Sequence, residues 1–220
     1  MVCLENVVKI YRAPHGTIKA LDNINLQVEK GEFVVIRGPS GCGKTTLLMT
    51  IAGMQRPTSG TASVNQYNLY EMSRRARANF RAANIGFVFQ MFYLVPYLNV
   101  IENVILAGRA IDKSGGTVEA DELLKQLGLA ERVFHKPSEL STGEKQRTAI
   151  ARALFNRPEI ILADEPTGNL DPDNAATVLG YLADFHSHGG TIVVVTHQAA
   201  ADEFADRVIN MRNGCIDNFA

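Results

Sequence analysis

Four runs of consecutive apolar, mostly β-branched residues punctuate the chain: Val34-Val35-Ile36, Phe87-Val88-Phe89, Ile160-Ile161-Leu162 and Ile192 to Val195. A strand with one wet face alternates apolar and polar residues, so continuous runs predict strands covered on both faces. Between them, apolar positions recur at helical spacing. Ala175, Val178, Leu179, Leu182 and Phe185 share one face of a predicted helix. Ala120, Leu123, Leu124 and Leu127 share a face of another, with Gly128 as its cap. Strands alternating with helices predict an α/β fold with a mainly parallel central sheet.

Two regions break this rhythm. Cys3 to Tyr11 and Ala20 to Val28 read as strands, with a turn at Lys30-Gly31-Glu32, which predicts an N-terminal antiparallel β flap. Residues 91–140 carry helix patterns and loops but no strand, which predicts a helical insertion. The expected organisation is one domain over 1–220. Within it, 1–90 and 158–220 form a core with the β flap, and 91–157 form a helical subdomain.

Composition narrows the function classes. The 220 residues are 46% hydrophobic and 20% charged, enough apolar material for one sizeable core and unlike a disordered chain. The net charge of −1 offers no basic field for a nucleic-acid backbone. Cys3, Cys42 and Cys215 show no metal-ligand spacing, and the N-terminus shows no secretory pattern, so a reduced cytosolic setting is expected. Pro96, Asn99, Glu102 and Asn103 interrupt the greasiest stretch, 93–108, which therefore does not read as a membrane span.

The chemistry-bearing motif is Gly38-Pro39-Ser40-Gly41-Cys42-Gly43-Lys44-Thr45, followed by Thr46, between a strand at 33–37 and a helix from Thr45 to Ala52. It matches G-x-x-x-x-G-K-[ST]. Gly41 and Gly43 let consecutive N–H groups point inward at phosphate oxygens, and the helix N-terminus adds partial positive charge. Lys44 places a point charge on the β- and γ-phosphates, and Thr45 offers a hydroxyl to Mg²⁺. The acid expected at the end of a neighbouring strand is Asp164, holding Mg²⁺ through water, with Glu165 beside it as general base.

Leu140-Ser141-Thr142-Gly143-Glu144 then opens a helical stretch containing Gln146, Arg147 and Arg152. Here the chain resembles the ATP-binding-cassette ATPases, whose signature reads LSGGQ and contacts the γ-phosphate held by the other protomer. Ser141-x-x-Glu144 is also a capping box, and the two roles are compatible. The resemblance covers nearly the whole chain. It implies that Tyr11 stacks on adenine, and that Gln90 meets Mg²⁺ and the attacking water. It also implies that Asn169, Leu170 and Asp171 cross a dimer interface, and that His197 contacts the γ-phosphate. Taken singly, each has a plain structural alternative: core for Tyr11, a strand-end cap for Gln90, a turn for Asp171 and a loop histidine for His197. Two residues depart from the pattern. Glu144 stands for glutamine, and Thr142 stands for the first glycine, a cost if that position needs φ > 0. The other four histidines, including His186 and His188, read as surface residues.

The stretches 86–90 and 162–171, and the tail after His197 (a helix and a hairpin around Asn213-Gly214), are most similar to compact cassettes of the lipoprotein-releasing, macrolide-exporting and cell-division type. The resemblance implies ATP and Mg²⁺ as ligands, and a homodimer, or heterodimer with a similar ATPase, in the ATP-bound state. It also implies a separate transmembrane permease subunit and a place at the cytoplasmic face of the inner or plasma membrane. Met91 to Leu98, with three aromatics and a proline, fit either a dock for that subunit or the helical subdomain's own core. Two rival classes share the phosphate loop. A small-molecule phosphotransferase needs an acceptor site and a basic lid, and Arg74, Arg75, Arg77 and Arg81 read more simply as a solvated helix face. A DNA-repair or chromosome-type ATPase needs coiled-coil or zinc insertions, for which the sequence shows neither heptads nor cysteine clusters.

Overall fold

The computed structural model describes residues 1–14, 16–108 and 116–217. His15 and the stretch 109–115 of the expected helical insertion lie outside the described residues. The strands are β1 (Val2–Ala13), β2 (Gly16–Val28), β3 (Phe33–Arg37), β4 (Ser59–Val64), β5 (Tyr67–Asn68), β6 (Ile85–Val88), β7 (Ile160–Asp164), β8 (Thr191–Thr196), β9 (Arg207–Arg212) and β10 (Cys215–Asp217). The helices are α1 (Lys44–Ile51), α2 (Arg74–Asn84), α3 (Val100–Ile105), α4 (Thr117–Gln126), α5 (Thr142–Leu154) and α6 (Pro172–Ser187).

Two sheets form. An antiparallel flap has the order β2-β1-β4-β5, and the main sheet runs β10-β9-β3-β8-β7-β6. Within the main sheet β9, β3, β8, β7 and β6 are mutually parallel, and β10 closes one edge as an antiparallel hairpin. That hairpin turns at Asn213-Gly214, both with positive φ, as a two-residue connection between right-twisted strands requires.

The main sheet divides the apolar residues into two cores, which is why its strands read as unbroken runs. Val34, Ile36, Leu162, Val193 and Val195 face one core with Leu47, Leu48 and Ile51 of α1. Phe33, Val35, Ile161, Ala163, Ile192 and Val194 face the other, with apolar residues of α3 to α6. Each such side chain is almost wholly buried, and removing one from water stabilises the fold by about 1.5–3 kcal/mol.

The structure corrects several expectations. The strand expected at 87–89 begins two residues earlier, because Gly86 lets it lie against the Ala153 carbonyl where a Cβ would collide; Phe89 leaves the strand and stacks on Phe87 at 4.1 Å. The helix expected after His197 is a 3-10 turn (Ala199–Phe204), and β9 follows it as a further parallel strand. His186 is not a surface histidine: its half-buried ring packs edge-on against Phe33 at 5.6 Å. The arginine face of α2 is only partly solvated. Arg77 lies over the Tyr70 ring at 5.4 Å and donates to the Leu69 carbonyl, and Arg81 donates to the Gly53 carbonyl.

Candidate functional site

The loop between β3 and α1 is held open by its glycines. Gly43 caps α1 in the left-handed region (φ 110), and a Cβ there would run into the Ala20 carbonyl. The first turn of α1 has neither a side-chain cap nor an acidic residue, so its N–H groups stay available to an anion. Cys42 is buried and serves the scaffold: its carbonyl accepts from the Gly214 N–H at 2.9 Å, tying the loop to the β9–β10 turn.

Lys44 is 6% exposed, and its Nζ donates to the carbonyls of Gly38 (2.7 Å) and Pro39 (3.2 Å) and lies 3.7 Å from Glu165 Oε1. The Thr45 hydroxyl donates to Asp164 Oδ1 at 3.1 Å. Burial at the end of β7 pushes the Asp164 carboxyl up from its ordinary range, against the bond from Thr45. Glu165, the next residue, takes a left-handed backbone (φ 45), a conformation that costs a non-glycine residue about 1–3 kcal/mol. Its carboxylate accepts from the Thr196 hydroxyl (2.9 Å) and the His197 N–H (3.3 Å) and pairs with His197 Nδ1 at 3.0 Å.

These groups line a pocket of about 400 Å³, built from Tyr11, Ile18, Ala20, Ser40, Gly41, Gly43, Lys44, Thr45, Thr46, Gln90, Glu165 and His197. Of the residues marked in the sequence, Gly38, Pro39 and Cys42 support the loop from behind, and Asp164 reaches the site through Thr45. Tyr11 is half-exposed at the end of β1 rather than core, with the Lys9 ammonium 5.1 Å from its ring. Ile18, which the sequence did not single out, pairs with Tyr11 across the flap and is 60% exposed. The two form an apolar platform at the mouth.

The segment Ser141 to Glu144 and the residues Asn169, Leu170 and Asp171 do not line this pocket. Ser141 caps α5 through the expected capping box, and Thr142 is the first helical residue with no positive φ, which removes the conformational objection to a β-branched side chain there. Arg132 Nε donates to Glu144 Oε1 at 2.7 Å. That bond, with the Ser141 N–H behind it, pulls the Glu144 carboxyl down to about 2. Asp171 caps α6, and it also accepts from the Asn174 side chain at 2.7 Å. Asn174 accepts in turn from Arg147 of α5 and abuts Gly143, where a Cβ would displace it. The two loops are thus joined through one asparagine. Arg132, Arg147 and Thr196 carry no local signal because each acts through a partner 12, 27 or 31 residues away; Asn174, beside Asp171, joins the loops only through Arg147.

Comparison with known proteins decides the family. A family model described as ABC transporter matches residues 21–168. The chain is 44% identical over 216 residues to the uncharacterized ABC transporter ATP-binding protein MJ1508 of Methanocaldococcus jannaschii, covering 97% of this chain and 96% of that protein. The chain belongs to the ABC transporter ATP-binding proteins. The cassette is also 42% identical over 217 residues to the macrolide export ATP-binding/permease protein MacB of Chlorobaculum tepidum, covering 98% of this chain and 33% of that longer protein. Among solved structures, it superposes on the ATP-binding cassette MJ0796, in a dimeric post-hydrolysis state bound to ADP and Pi, with a TM-score of 0.93. That pair is 38% identical, with 99% of this chain and 97% of that one covered.

Proposed function

We propose that the cassette is the ATP-hydrolysing subunit of an ABC transport or mechanotransmission complex of export or lipoprotein-release type, in which ATP-driven dimerisation moves a separate transmembrane permease. The observation that carries this reading is the convergence of the glycine loop, Lys44, Glu165 and His197 on one pocket beneath the Tyr11–Ile18 platform. Adenine stacks on Tyr11, and the phosphates lie in the loop 38–46. Ser141 and Gly143 of a second copy close over the γ-phosphate, with Thr142 and Glu144 completing that segment and residues 169–171 lining the seam between copies.

Water positioned by Gln90 and His197 attacks the γ-phosphorus in line with the bond to ADP. Its proton passes to Glu165, and the electron pair of the breaking P–O bond leaves on ADP. The donor set of Thr45, Asp164 and Gln90 is all oxygen, and Thr45 Oγ1 and Asp164 Oδ1 lie 3.1 Å apart, which fits a hard divalent cation; these residues would hold Mg²⁺. When bound, the ion neutralises charge on the β- and γ-phosphates.

Among the described residues no helix is long and apolar enough to cross a membrane. We place the cassette at the cytoplasmic membrane face, held by its permease through residues 91–98. Met91, Tyr93 and Tyr97 are 65%, 63% and 75% exposed, and none of the eight residues belongs to either buried core, which supports the docking reading over the internal-core one.

Sedimentation of Glu165→Gln with and without Mg-ATP tests the proposal. The expected result is a nucleotide-dependent shift from monomer to dimer and no turnover. An ATP-bound monomer would remove the sandwich, and normal hydrolysis would remove Glu165 as the base.

A further inference from the structure

The two oxygens of Glu165 have unlike surroundings. Oε1 faces groups that line the pocket, the His197 imidazole at 3.0 Å and the Lys44 ammonium at 3.7 Å. Oε2 faces fixed ones: the Thr196 hydroxyl at 2.9 Å and the His197 backbone N–H at 3.3 Å. Thr196 ends β8 and is 1% exposed, so its side chain sits in a closed environment. Its hydroxyl proton has a determined direction. Oγ1 already accepts from the Gln198 backbone N–H at 3.0 Å, which leaves its single proton for Glu165. Gln198 is itself held, its Oε1 accepting from the Thr167 hydroxyl at 3.0 Å.

Packing alone does not call for a hydroxyl here. Ile192, Val193, Val194 and Val195 precede it in the same strand, all buried and all apolar, and valine has the shape of threonine. Of the two hydroxyls that bracket this run, Thr191 accepts from the Gly31 N–H at the far end, and Thr196 faces the carboxylate. Glu165 lies one residue past β7 in a left-handed conformation (φ 45); its N–H still donates to the Val195 carbonyl at 2.9 Å, so what remains to be held is its carboxylate.

We propose that Thr196 is a positioning residue for ATP hydrolysis: its hydroxyl pins Oε2 of Glu165 and thereby presents Oε1 to the attacking water. The inference rests on the reading of Glu165 as general base. Lys44 leaves Oε1 when phosphate oxygens offer it better acceptors, whereas the Thr196 bond lies behind the carboxylate and persists through the cycle.

The test is steady-state hydrolysis of Mg-ATP by the full chain carrying Thr196→Val, Thr196→Ser or Glu165→Gln, together with the Glu165→Gln/Thr196→Val double variant. Losing a hydrogen bond to a charged group should lower kcat of Thr196→Val by roughly 10- to 100-fold. KM for ATP should stay within about twofold, since the bond touches no part of the nucleotide. Serine, which keeps the hydroxyl, should restore most of the turnover. In the Glu165→Gln background the valine change should have no further effect on residual turnover.

Parental kcat in Thr196→Val, while Glu165→Gln is inactive, overturns the role of Thr196 and leaves the base intact. Parental turnover in Glu165→Gln overturns the base and this inference with it. Equal loss from the valine change in both backgrounds, or a serine variant as slow as valine, would mean that Thr196 acts structurally and the proposal is wrong. If Thr196→Val does not fold, the serine variant and Thr196→Ala carry the same comparison.

Discussion

Replacing Glu144 by glutamine, the residue found at this place in the family signature, isolates one ion pair at the start of α5. Glu144→Gln keeps an acceptor for the Ser141 N–H, so the capping box survives, but it removes the charge that meets Arg132 at 2.7 Å. The Glu144 carboxyl lies at about 2 against an ordinary 4.5, with the Arg132 bond as the largest cause. Taken in full, that depression amounts to ~3 kcal/mol of stability at neutral pH. The Arg132 side chain is 42% exposed, and solvent screening brings the expected loss to about 1–2 kcal/mol. The carboxyl is depressed in the folded chain, so this stability is complete above about pH 4.5 and disappears as the pH falls through about 2. For a chain of this size the loss lowers Tm by about 3–6 °C at pH 7. Thermal unfolding of Glu144→Gln, Arg132→Met and the double variant gives the assay. The coupling between the two sites should be about 1 kcal/mol at pH 7 and shrink toward pH 3. A glutamine variant that melts with the parent at pH 7, or a coupling of zero, refutes the reasoning.

Two further substitutions probe the pocket and the docking segment. Gly43→Ala forces a Cβ toward the Ala20 carbonyl at φ 110, so it should abolish ATP binding and cost at least about 2 kcal/mol of stability; parental ATP affinity by calorimetry would contradict this. Tyr97→Asp places a charge in the exposed segment 91–98 and should prevent co-purification with the membrane subunit while ATP binding persists. Normal assembly of that variant would argue against the dock.

The parts legible in the sequence were those whose signal is contiguous. β3, β7 and β8 read as strands because both faces of the sheet are buried, so no polar residue interrupts them. The phosphate loop read clearly because eight neighbouring residues carry all its geometry. By contrast, β4 is not legible, and β9 is legible only as one arm of the hairpin at Asn213-Gly214, not as a parallel neighbour of β3. Their sequences, SGTASV and RVINMR, mix small, polar and apolar residues and are largely exposed, so neither shows the unbroken apolar run of the buried strands. α2 is legible only as a charged helix face, because no residue of it is fully buried and its contacts run through arginines and the partly buried Phe80. At the site, Glu165 and His197 are legible in their motifs, but the bond from Thr196 to Glu165 spans 31 residues and the Arg132–Glu144 pair spans 12. Such pairs are products of the topology, and no local pattern marks them. A glycine at the signature position of Thr142 suggests special backbone, but Thr142 opens α5 with ordinary helical geometry, so threonine fits there without strain.

The division of the main sheet into two cores makes neighbouring residues of β8 into separate instruments. Val193 faces the layer of α1 and Val194 the layer of α3 to α6, although the two are adjacent in the chain. Methyl labels on this pair would report independently on the two halves of the molecule. On nucleotide binding, a spectral change confined to residue 193 would mean that only the phosphate-loop layer responds. A change at both would time how soon the helical layer follows.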